Sequence, residues 1–242
     1  MNLPGVYPIF LNNWQDLQTC WIISDTHFGD EDLCQGISNR PSDEDIVKSI
    51  NSKVGRKDLL LLLGDVGNVE FVKKIRAQRK ILIMGNHDAG RTNYERVVGD
   101  YCCDKDKWLT KEKVLANAKI AHPGCEIRIS ETENSWVVFY DNRLFDEVYE
   151  GPLMIAEKLI LSHEPVNVPW AFNIHGHIHD TRHKNNSNHF CVTADIINYT
   201  PVNMNQWMKS GAMAKVETIH RETIDKATER KKKRGGKKIG GK

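Results

Sequence analysis

Seven short apolar runs rich in strand-forming residues limit the folds that this chain can adopt. The runs are CWIIS (20–24), LLLLL (59–63), KILIM (80–84), WVVFY (136–140), KLILS (158–162), FNIH (172–175) and FCVTA (190–194). Apolar runs of this length, bounded by polar segments, predict buried strands. The first three runs are separated by longer segments, and the later ones lie closer together. We therefore expect an α/β protein whose second half is dominated by strands.

Two helices are predicted between the early strands. Residues 42–54 begin with Ser42 and an acidic first turn, and apolar residues follow at helical spacing. Residues 69–78 show the same spacing. Residues 101–144 are polar and weakly patterned, and we interpret them as an insertion or cap. The expected organisation is one domain over residues 1–225 that contains this insertion.

Cysteine usage and hydropathy restrict the environment of the chain. The six cysteines are irregularly spaced and form no C-x-x-C pair, which favours reduced thiols in a cytoplasmic protein. No apolar run approaches the roughly 18 residues that a membrane span needs, and no secretory signal is expected because Pro4 and Pro8 interrupt the N-terminal segment. A structural zinc site is an alternative that the sequence leaves open. Its ligands would be Cys102, Cys103, His122 and Cys125.

The net charge is distributed unevenly. Residues 226–242 carry a net charge of +8, which leaves −6 for residues 1–225 because the whole chain carries +2. The basic segment is poor in apolar residues and rich in glycine, so we expect it to be disordered. It could hold RNA or DNA phosphates electrostatically, and a solvated tail without a partner is the equally weighted alternative.

Five of the apolar runs are followed directly by imidazole, carboxylate or amide side chains. These residues are Asp25 and His27, Asp65, Asn86 to Asp88, His163, and the three histidines His175, His177 and His179. Sites in α/β sheets form beyond the carboxyl ends of the strands. Burying so many ionisable groups together is unfavourable without a cation to offset them. Two of these acidic residues, four of the imidazoles and the amide suit a pair of divalent metal ions.

The motifs that carry these residues resemble those of the calcineurin-like metallophosphoesterase superfamily. The matching segments, in order, are DTH (25–27), GD (64–65), GNHD (85–88), SHEP (162–165) and GHIH (176–179). The segments SDTHFGD (24–30), NRP (39–41) and YTPV (199–202) make the chain most similar to a small bacterial and phage branch. The resemblance implies a four-layer α/β/β/α sandwich of two mixed sheets flanked by helices.

The resemblance also implies a role for each matched residue. Asp25, His27 and His179 would bind one metal ion, Asp65 would bridge to the second, and Asn86, His163 and His177 would complete the second site. Manganese is the favoured metal, and iron, zinc, nickel or cobalt would also suit these ligands. A hydroxide bridging the two ions would attack the phosphorus of a phosphate ester, and His87 would donate a proton to the leaving oxygen.

Three positions near these motifs have weaker assignments. Asp88 is expected to support the site, and Arg40 is expected either to reach the phosphate or to form a surface ion pair. Asp30 occupies a position where the resemblance predicts histidine, so substrate specificity is expected to differ here. The favoured substrates are phosphodiesters or phosphomonoesters of nucleotides or nucleic acids.

Two other functions remain open alternatives. Phosphoprotein phosphatases of this superfamily typically carry GDxVDRG at the second motif, whereas this chain has GDVGNVE (64–70). A non-catalytic scaffold would use the same fold, but such proteins typically lose the histidine that corresponds to His87. Both alternatives therefore rank below a phosphoesterase, and the oligomeric state is left undetermined.

Overall fold

The computed structural model describes most of the chain between residues 19 and 212. The described residues are 19–36, 39–88, 90, 94–107, 110–156, 158–180, 185–212, 216, 226 and 228–229. Most of the basic segment 226–242 lies outside them, as do residues 1–18.

Twelve strands and five helices are present in this part of the chain. The strands are β1 (Cys20–Ile23), β2 (Leu59–Leu62), β3 (Arg79–Ile83), β4 (Val98–Asp104), β5 (Glu126–Glu131), β6 (Ser135–Asp141), β7 (Glu147–Tyr149), β8 (Leu153–Ala156), β9 (Leu159–Ser162), β10 (Phe172–His175), β11 (His189–Cys191) and β12 (Val202–Asn203). The helices are α1 (Glu31–Gly36), α2 (Asp43–Lys53), α3 (Val69–Lys73), α4 (Lys111–Ala121) and α5 (Met204–Lys209), and a short 3-10 turn spans Lys105–Lys107.

Two mixed sheets form the body of the molecule. The first has the strand order β12-β1-β2-β3-β7 and is parallel except at β12, and the second has the order β11-β10-β9-β8 and is parallel except at β8. All seven strands predicted from the apolar runs are present, at nearly the predicted positions. The predicted α/β sandwich of two mixed sheets is therefore confirmed.

The core explains why the early strands are apolar without alternation. Leu61 and Ile83 of the first sheet pack with Leu161 and Ile174 of the second, which forms the layer between the sheets. The intervening residues of β2 and β3 face the other way and pack against helices such as α2. Strands covered on both faces are expected to be continuously apolar.

The helix predicted over residues 69–78 is shorter in the structure. It ends at Lys73, and the chain turns before it enters β3. The side chain of Asn51 accepts a hydrogen bond from the backbone of Arg76 at 2.8 Å and donates one to the carbonyl of Lys74 at 3.0 Å. These contacts satisfy backbone groups outside the helix, so continued helical bonding is not needed.

The segment interpreted as an insertion contains a separate sheet. Strands β4, β6 and β5 form a three-stranded antiparallel sheet, and α4 packs on one face of it through Val114 and Ala118. The weak apolar pattern of this segment follows from that arrangement, since the opposite face of the sheet is largely exposed.

The described part of the chain has no helix of the length and apolar character that would be needed to cross a bilayer.

Candidate metal centre

The loops after β1, β2, β3, β9 and β10 meet at one edge of the sandwich. Backbone hydrogen bonds join them: Asp25 N–H donates to the Gly64 carbonyl, His27 N–H to the Asp65 carbonyl, and Gly176 N–H to the His163 carbonyl, at 2.9–3.0 Å. The polar residues predicted after these five strands are therefore brought together at the carboxyl ends of the strands.

Asp25 lies at the centre of the first group. Its Oδ2 accepts hydrogen bonds from the backbone N–H of His177 at 2.8 Å and from Thr193 Oγ1 at 3.3 Å. Its Oδ1 lies 3.5 Å from His179 Nε2 and 3.8 Å from His27 Nε2. Asp25, His27 and His179 offer ligand atoms within 4.8 Å of one another, a spacing that could hold one metal ion.

Two atoms of this group show that a cation fits between them. Asp25 Oδ1 and His27 Nε2 are buried, and neither has a hydrogen-bond partner among the described residues. An acceptor atom buried without a partner destabilises the protein unless another charge compensates it. A divalent ion would accept a lone pair from each atom and remove that penalty.

A second group surrounds Asp65. Its Oδ2 lies 3.4 Å from His163 Nε2 and 3.6 Å from His27 Nε2, so it stands between the two groups as a bridging ligand would. His163 Nε2 in turn lies 2.9 Å from Asn86 Oδ1 and 3.2 Å from His177 Nδ1. Asp25, Asp65 and His163 form a further set with ligand atoms within 4.8 Å. Asp25 therefore belongs to both sets.

Three of the histidines are oriented by acceptors on the Nδ1 side of the ring. The Nδ1 of His163 lies 2.8 Å from the Leu63 carbonyl, and the Nδ1 of His179 lies 3.2 Å from Asp195 Oδ1. His27 Nδ1 lies 3.4 Å from Asp30 Oδ2. When Nδ1 carries the proton and donates it to such an acceptor, Nε2 keeps its lone pair for a metal ion.

The protonation of these groups follows from their surroundings. Asp195 and Asp25 raise the pKa of His179 to about 10. Burial lowers the pKa of His27 despite the nearby carboxylates. Burial alone would lower the pKa of His163, but the hydrogen bond with Asp65, the charges of Asp25 and Asp65 and the Leu63 carbonyl together outweigh this effect, and the pKa is raised. Metal binding would therefore displace a proton from His179 at neutral pH.

The backbone at the site adopts conformations that are costly for residues with side chains. Asp25, His27, Asp65 and His177 have φ values of 56°, 42°, 51° and 68°. Such left-handed residues cluster at functional sites, where the surrounding structure holds them in place. The neighbouring chain must also approach closely, since a Cβ atom on Gly85 would collide with Asp65 Oδ1.

His87 and Asp88 follow β3 but have opposite environments. The side chain of His87 is 64% exposed, and its Nε2 lies 4.0 Å from Asp65 Oδ2. Asp88 is fully buried and accepts hydrogen bonds from the backbone N–H groups of Asp65, Val66 and Gly85 and from the Tyr94 hydroxyl. Asp88 thus fixes the loop after β2 against the loop after β3.

Arg40 supports the first ligand loop. Its Nη2 donates to the carbonyls of Thr26 and His27 at 2.9 and 3.1 Å and to Asp43 Oδ1 at 2.9 Å, and its side chain is 2% exposed. The alternative of an ion pair is therefore present, with Asp43 as the partner, although the guanidinium is buried and not at the surface. A contact of Arg40 with phosphate stays a prediction.

Two clefts flank the metal-ligating residues. One, of about 300 Å³, is lined by residues that include His27, His87, Asp30 and Asn68. The other, of about 330 Å³, includes Asn86, His163, Glu150 and Glu164. The candidate centre therefore opens to solvent on two sides.

Several contributors to the site were not predicted from the sequence. Asp195 follows the run FCVTA (190–194) and contacts His179, Thr193 lies within that run and binds Asp25, and Tyr94 binds Asp88. A polar residue after that apolar run was the available signal for Asp195, since each predicted ligand follows a strand in the same way. Arg91, which like Arg40 was a weak candidate for a phosphate contact, lies outside the described residues.

The alternative zinc site is not supported. Among the described residues, Cys102, Cys103, His122 and Cys125 do not form a group with metal-holding spacing. The ring of His122 instead stacks on Tyr140 with 3.7 Å between ring centroids.

Comparison with known proteins now identifies the family. The model of the calcineurin-like phosphoesterase family matches residues 19–193, which include every predicted metal ligand. The chain belongs to this family. This calcineurin-like phosphoesterase is also similar in structure to the protein of unknown function AQ665 from Aquifex aeolicus, with a TM-score of 0.50 and 20% sequence identity over 80% of this chain and 99% of that one. That similarity concerns the fold alone. No curated protein matches the sequence significantly.

Proposed function

We propose that this calcineurin-like phosphoesterase uses two divalent metal ions to hydrolyse a phosphodiester. Phosphomonoesters are the second substrate class, and nucleotides or nucleic acids are the favoured substrates. One observation carries the proposal: Asp65 Oδ2 lies between His27 of one metal-holding group and His163 of the other, at 3.6 and 3.4 Å from their Nε2 atoms, and the exposed imidazole of His87 stands beside them. Such a centre suits hydrolysis of a phosphate ester.

The ligands would divide between two ions, and Asp65 would contact both. One ion would be held by Asp25, His27 and His179, and the other by Asn86, His163 and His177. When bound, the ions neutralise charge on the phosphate and lower the pKa of a water molecule. We favour manganese, although this donor set would also accept iron, zinc, nickel or cobalt.

His87 is the proposed proton donor. Its backbone N–H donates to Asp65 Oδ1 at 2.9 Å, which fixes the start of the side chain over the centre. Its ring centroid lies 5.4 Å from that of His27, and the ring reaches into the cleft that the two residues share. An imidazole in this position can protonate the departing alkoxide oxygen.

The two clefts favour a diester over a monoester. A phosphomonoester has one substituent and a phosphodiester has two, so a diester can place one substituent on each side of the centre. One cleft adjoins His87, where the leaving group would depart, and the other adjoins Asn86 and His163. The substituent that stays on the phosphate would occupy the second cleft.

The proposal is tested with purified protein and Mn²⁺ on bis-p-nitrophenyl phosphate, p-nitrophenyl phosphate, RNA and a phosphoserine peptide. We expect the diester to be hydrolysed fastest. His87→Ala should lower kcat about 10² to 10⁴-fold, as expected for loss of a general acid, with the metal content unchanged. His122→Ala, a change on the inserted sheet, is the matched control.

Three outcomes would contradict the proposal. Absence of turnover on every substrate with two metals bound would favour a scaffold. Preference for the peptide would favour a phosphoprotein phosphatase. Equal activity of the wild type and His87→Ala would remove the assigned role of His87.

A further inference from the structure

A cavity of about 490 Å³ lies at the opposite edge of the five-stranded sheet from the candidate metal centre. It is lined by Arg56, which precedes β2, by residues 74–78, which precede β3, and by residues of the inserted sheet. Because β1, β2 and β3 are parallel, their amino ends share one edge and their carboxyl ends the other. A strand of this length separates the two edges by roughly 15 Å.

Seven of the eleven residues that line this cavity are basic, and one, Asp141, is acidic. The Arg96 guanidinium already binds Asp141 through hydrogen bonds of 3.0 and 2.7 Å and binds Asp146 at 2.8 Å. Arg143 pairs with Glu126. These two arginines are thus paired with three carboxylates, which leaves one negative charge to set against the remaining basic residues.

Of the other basic residues, Lys74 lies 3.8 Å from a carboxylate oxygen of Glu44, whereas three arginines keep their charge available. Arg56, Arg76 and Arg128 are exposed, and none forms an ion pair with a carboxylate in the described part of the chain. Lys80 adds a buried charge at the base of the cavity, where its Nζ donates to the carbonyls of Val72, at 2.9 Å, and Arg143. A cavity with this excess of cations is a site for a polyanion.

We propose that this arginine-rich groove binds the phosphate backbone of double-stranded nucleic acid. Guanidinium groups match phosphate oxygens in geometry and charge, and the cavity is larger than a single phosphate group. The lining contains no aromatic ring, and its apolar members are Ala77 and the buried Ile75. No aromatic ring in the lining could hold an unpaired base, which favours a duplex whose bases stay paired and a contact with the backbone that does not depend on sequence.

The test compares two double variants of the full chain. Arg76→Gln/Arg128→Gln removes two of the unpaired charges. Lys111→Gln/Lys119→Gln removes the same charge from exposed positions of α4, which covers the other face of the inserted sheet. Arg128 alternates with Ile127 and Ile129, which pack toward α4, so Arg128 points away from that helix. The basic segment 226–242 is present in every protein, so its contribution is common to all.

Binding is measured by fluorescence anisotropy with labelled 20-base-pair DNA and RNA duplexes over a range of salt concentrations. Loss of two phosphate contacts in Arg76→Gln/Arg128→Gln should make the slope of log K against log salt about 1.8 less steep. This change is equivalent to about 60-fold weaker binding at about 0.1 M salt. The α4 control should bind within about twofold of the wild type. Thermal unfolding should be unchanged, because Arg76 and Arg128 are exposed. Comparing the two duplexes shows whether the groove prefers RNA or DNA.

Two results would overturn the proposal. One is an unchanged salt slope for Arg76→Gln/Arg128→Gln on both duplexes. The other is competition by ATP at the same phosphate concentration as the duplex, which would indicate a site for a single nucleotide. Binding is measured without turnover, with the probe checked by gel electrophoresis, so failure of the proposed hydrolysis would leave this inference intact.

Discussion

The carboxyl edge of the five-stranded sheet gathers buried carboxylates and imidazoles on loops with left-handed residues, whereas the amino edge gathers exposed arginines around an open cavity. At the first edge, Asp25 Oδ1 and His27 Nε2 are buried without hydrogen-bond partners in the described chain. At the second edge, the buried cation Lys80 is satisfied by backbone carbonyls. The ligands that we propose for the two edges are therefore of opposite charge.

The difference also concerns rigidity. Each predicted metal ligand at the carboxyl edge follows a buried strand, and several of these loops are held by hydrogen bonds to other loops. Such an arrangement is preorganised for small ions with strict distance requirements. Arg56, Arg76 and Arg128 at the amino edge are long and exposed, so they can adapt to the spacing of phosphates along a polyanion.

The largest expected effect comes from removing one charge at the carboxyl edge. Asp65→Asn keeps the shape of the side chain but removes the charge that lies between His27 and His163. We expect fewer than two metal ions per chain and a loss of phosphoesterase activity above about 10³-fold. This loss is larger than the roughly 10–100-fold that is typical when a residue that only hydrogen-bonds to a ligand is changed. Metal analysis and hydrolysis of bis-p-nitrophenyl phosphate measure these effects.

The matched control makes the same chemical change at the amino edge. Asp146→Asn removes one of the carboxylates that bind Arg96 and should leave metal content and turnover near wild-type values. Equal losses of activity in the two variants would show that the edges do not act separately.

The next effect, in order of size, concerns Lys80 at the amino edge. Burial lowers its pKa from the ordinary value of 10.5 to about 8, and Arg96 and Arg143 add to the shift. Between these two pH values the unfolded chain holds a proton that the folded protein has lost, so stability rises with pH over this range. Across this range Lys80 should raise the free energy of unfolding by about 3 kcal/mol.

Urea unfolding of the wild type and Lys80→Met at pH 7 and pH 10.5 measures this contribution. Groups that titrate equally in both proteins cancel in the comparison. The free energy of unfolding of the wild type, relative to that of Lys80→Met, should therefore be about 3 kcal/mol higher at pH 10.5 than at pH 7. A difference that is independent of pH would mean that Lys80 keeps its ordinary pKa in the folded protein.

The sequence was sufficient to predict the carboxyl edge because its residues follow a simple rule. Asp25, Asp65 and His163 each come within two residues of the end of a continuous apolar run, and both the strands and the convergence of these residues are present in the structure. The roles of the residues as ligands remain predictions. Asp195 follows the same rule but lies outside the motifs that were matched, so it was missed.

The amino edge and the inserted sheet could not be predicted in the same way. Arg76 and Arg128 are 52 residues apart in the sequence and share a cavity only because the inserted sheet packs beside the turn before β3. The half-exposed strands β4 and β5 lack a continuous apolar run, and α4 buries little beyond Val114 and Ala118. Charge clusters assembled across such distances carry no local signal.

The smallest effect that we predict concerns the orientation of a ligand. Asp195 lies 3.2 Å from His179 Nδ1 and helps to raise the pKa of that histidine. Asp195→Asn should weaken binding of Mn²⁺ about 10–100-fold, since partners of metal-ligating histidines typically contribute that much. The same change should lower the pKa of His179 in the metal-free protein, because the negative charge is removed, and NMR titration of the ring measures it.

At saturating Mn²⁺, kcat should recover to near the wild-type value, which distinguishes a positioning residue from a catalytic one. A loss of kcat that persists at saturating Mn²⁺ would instead indicate that Asp195 contacts the reacting groups.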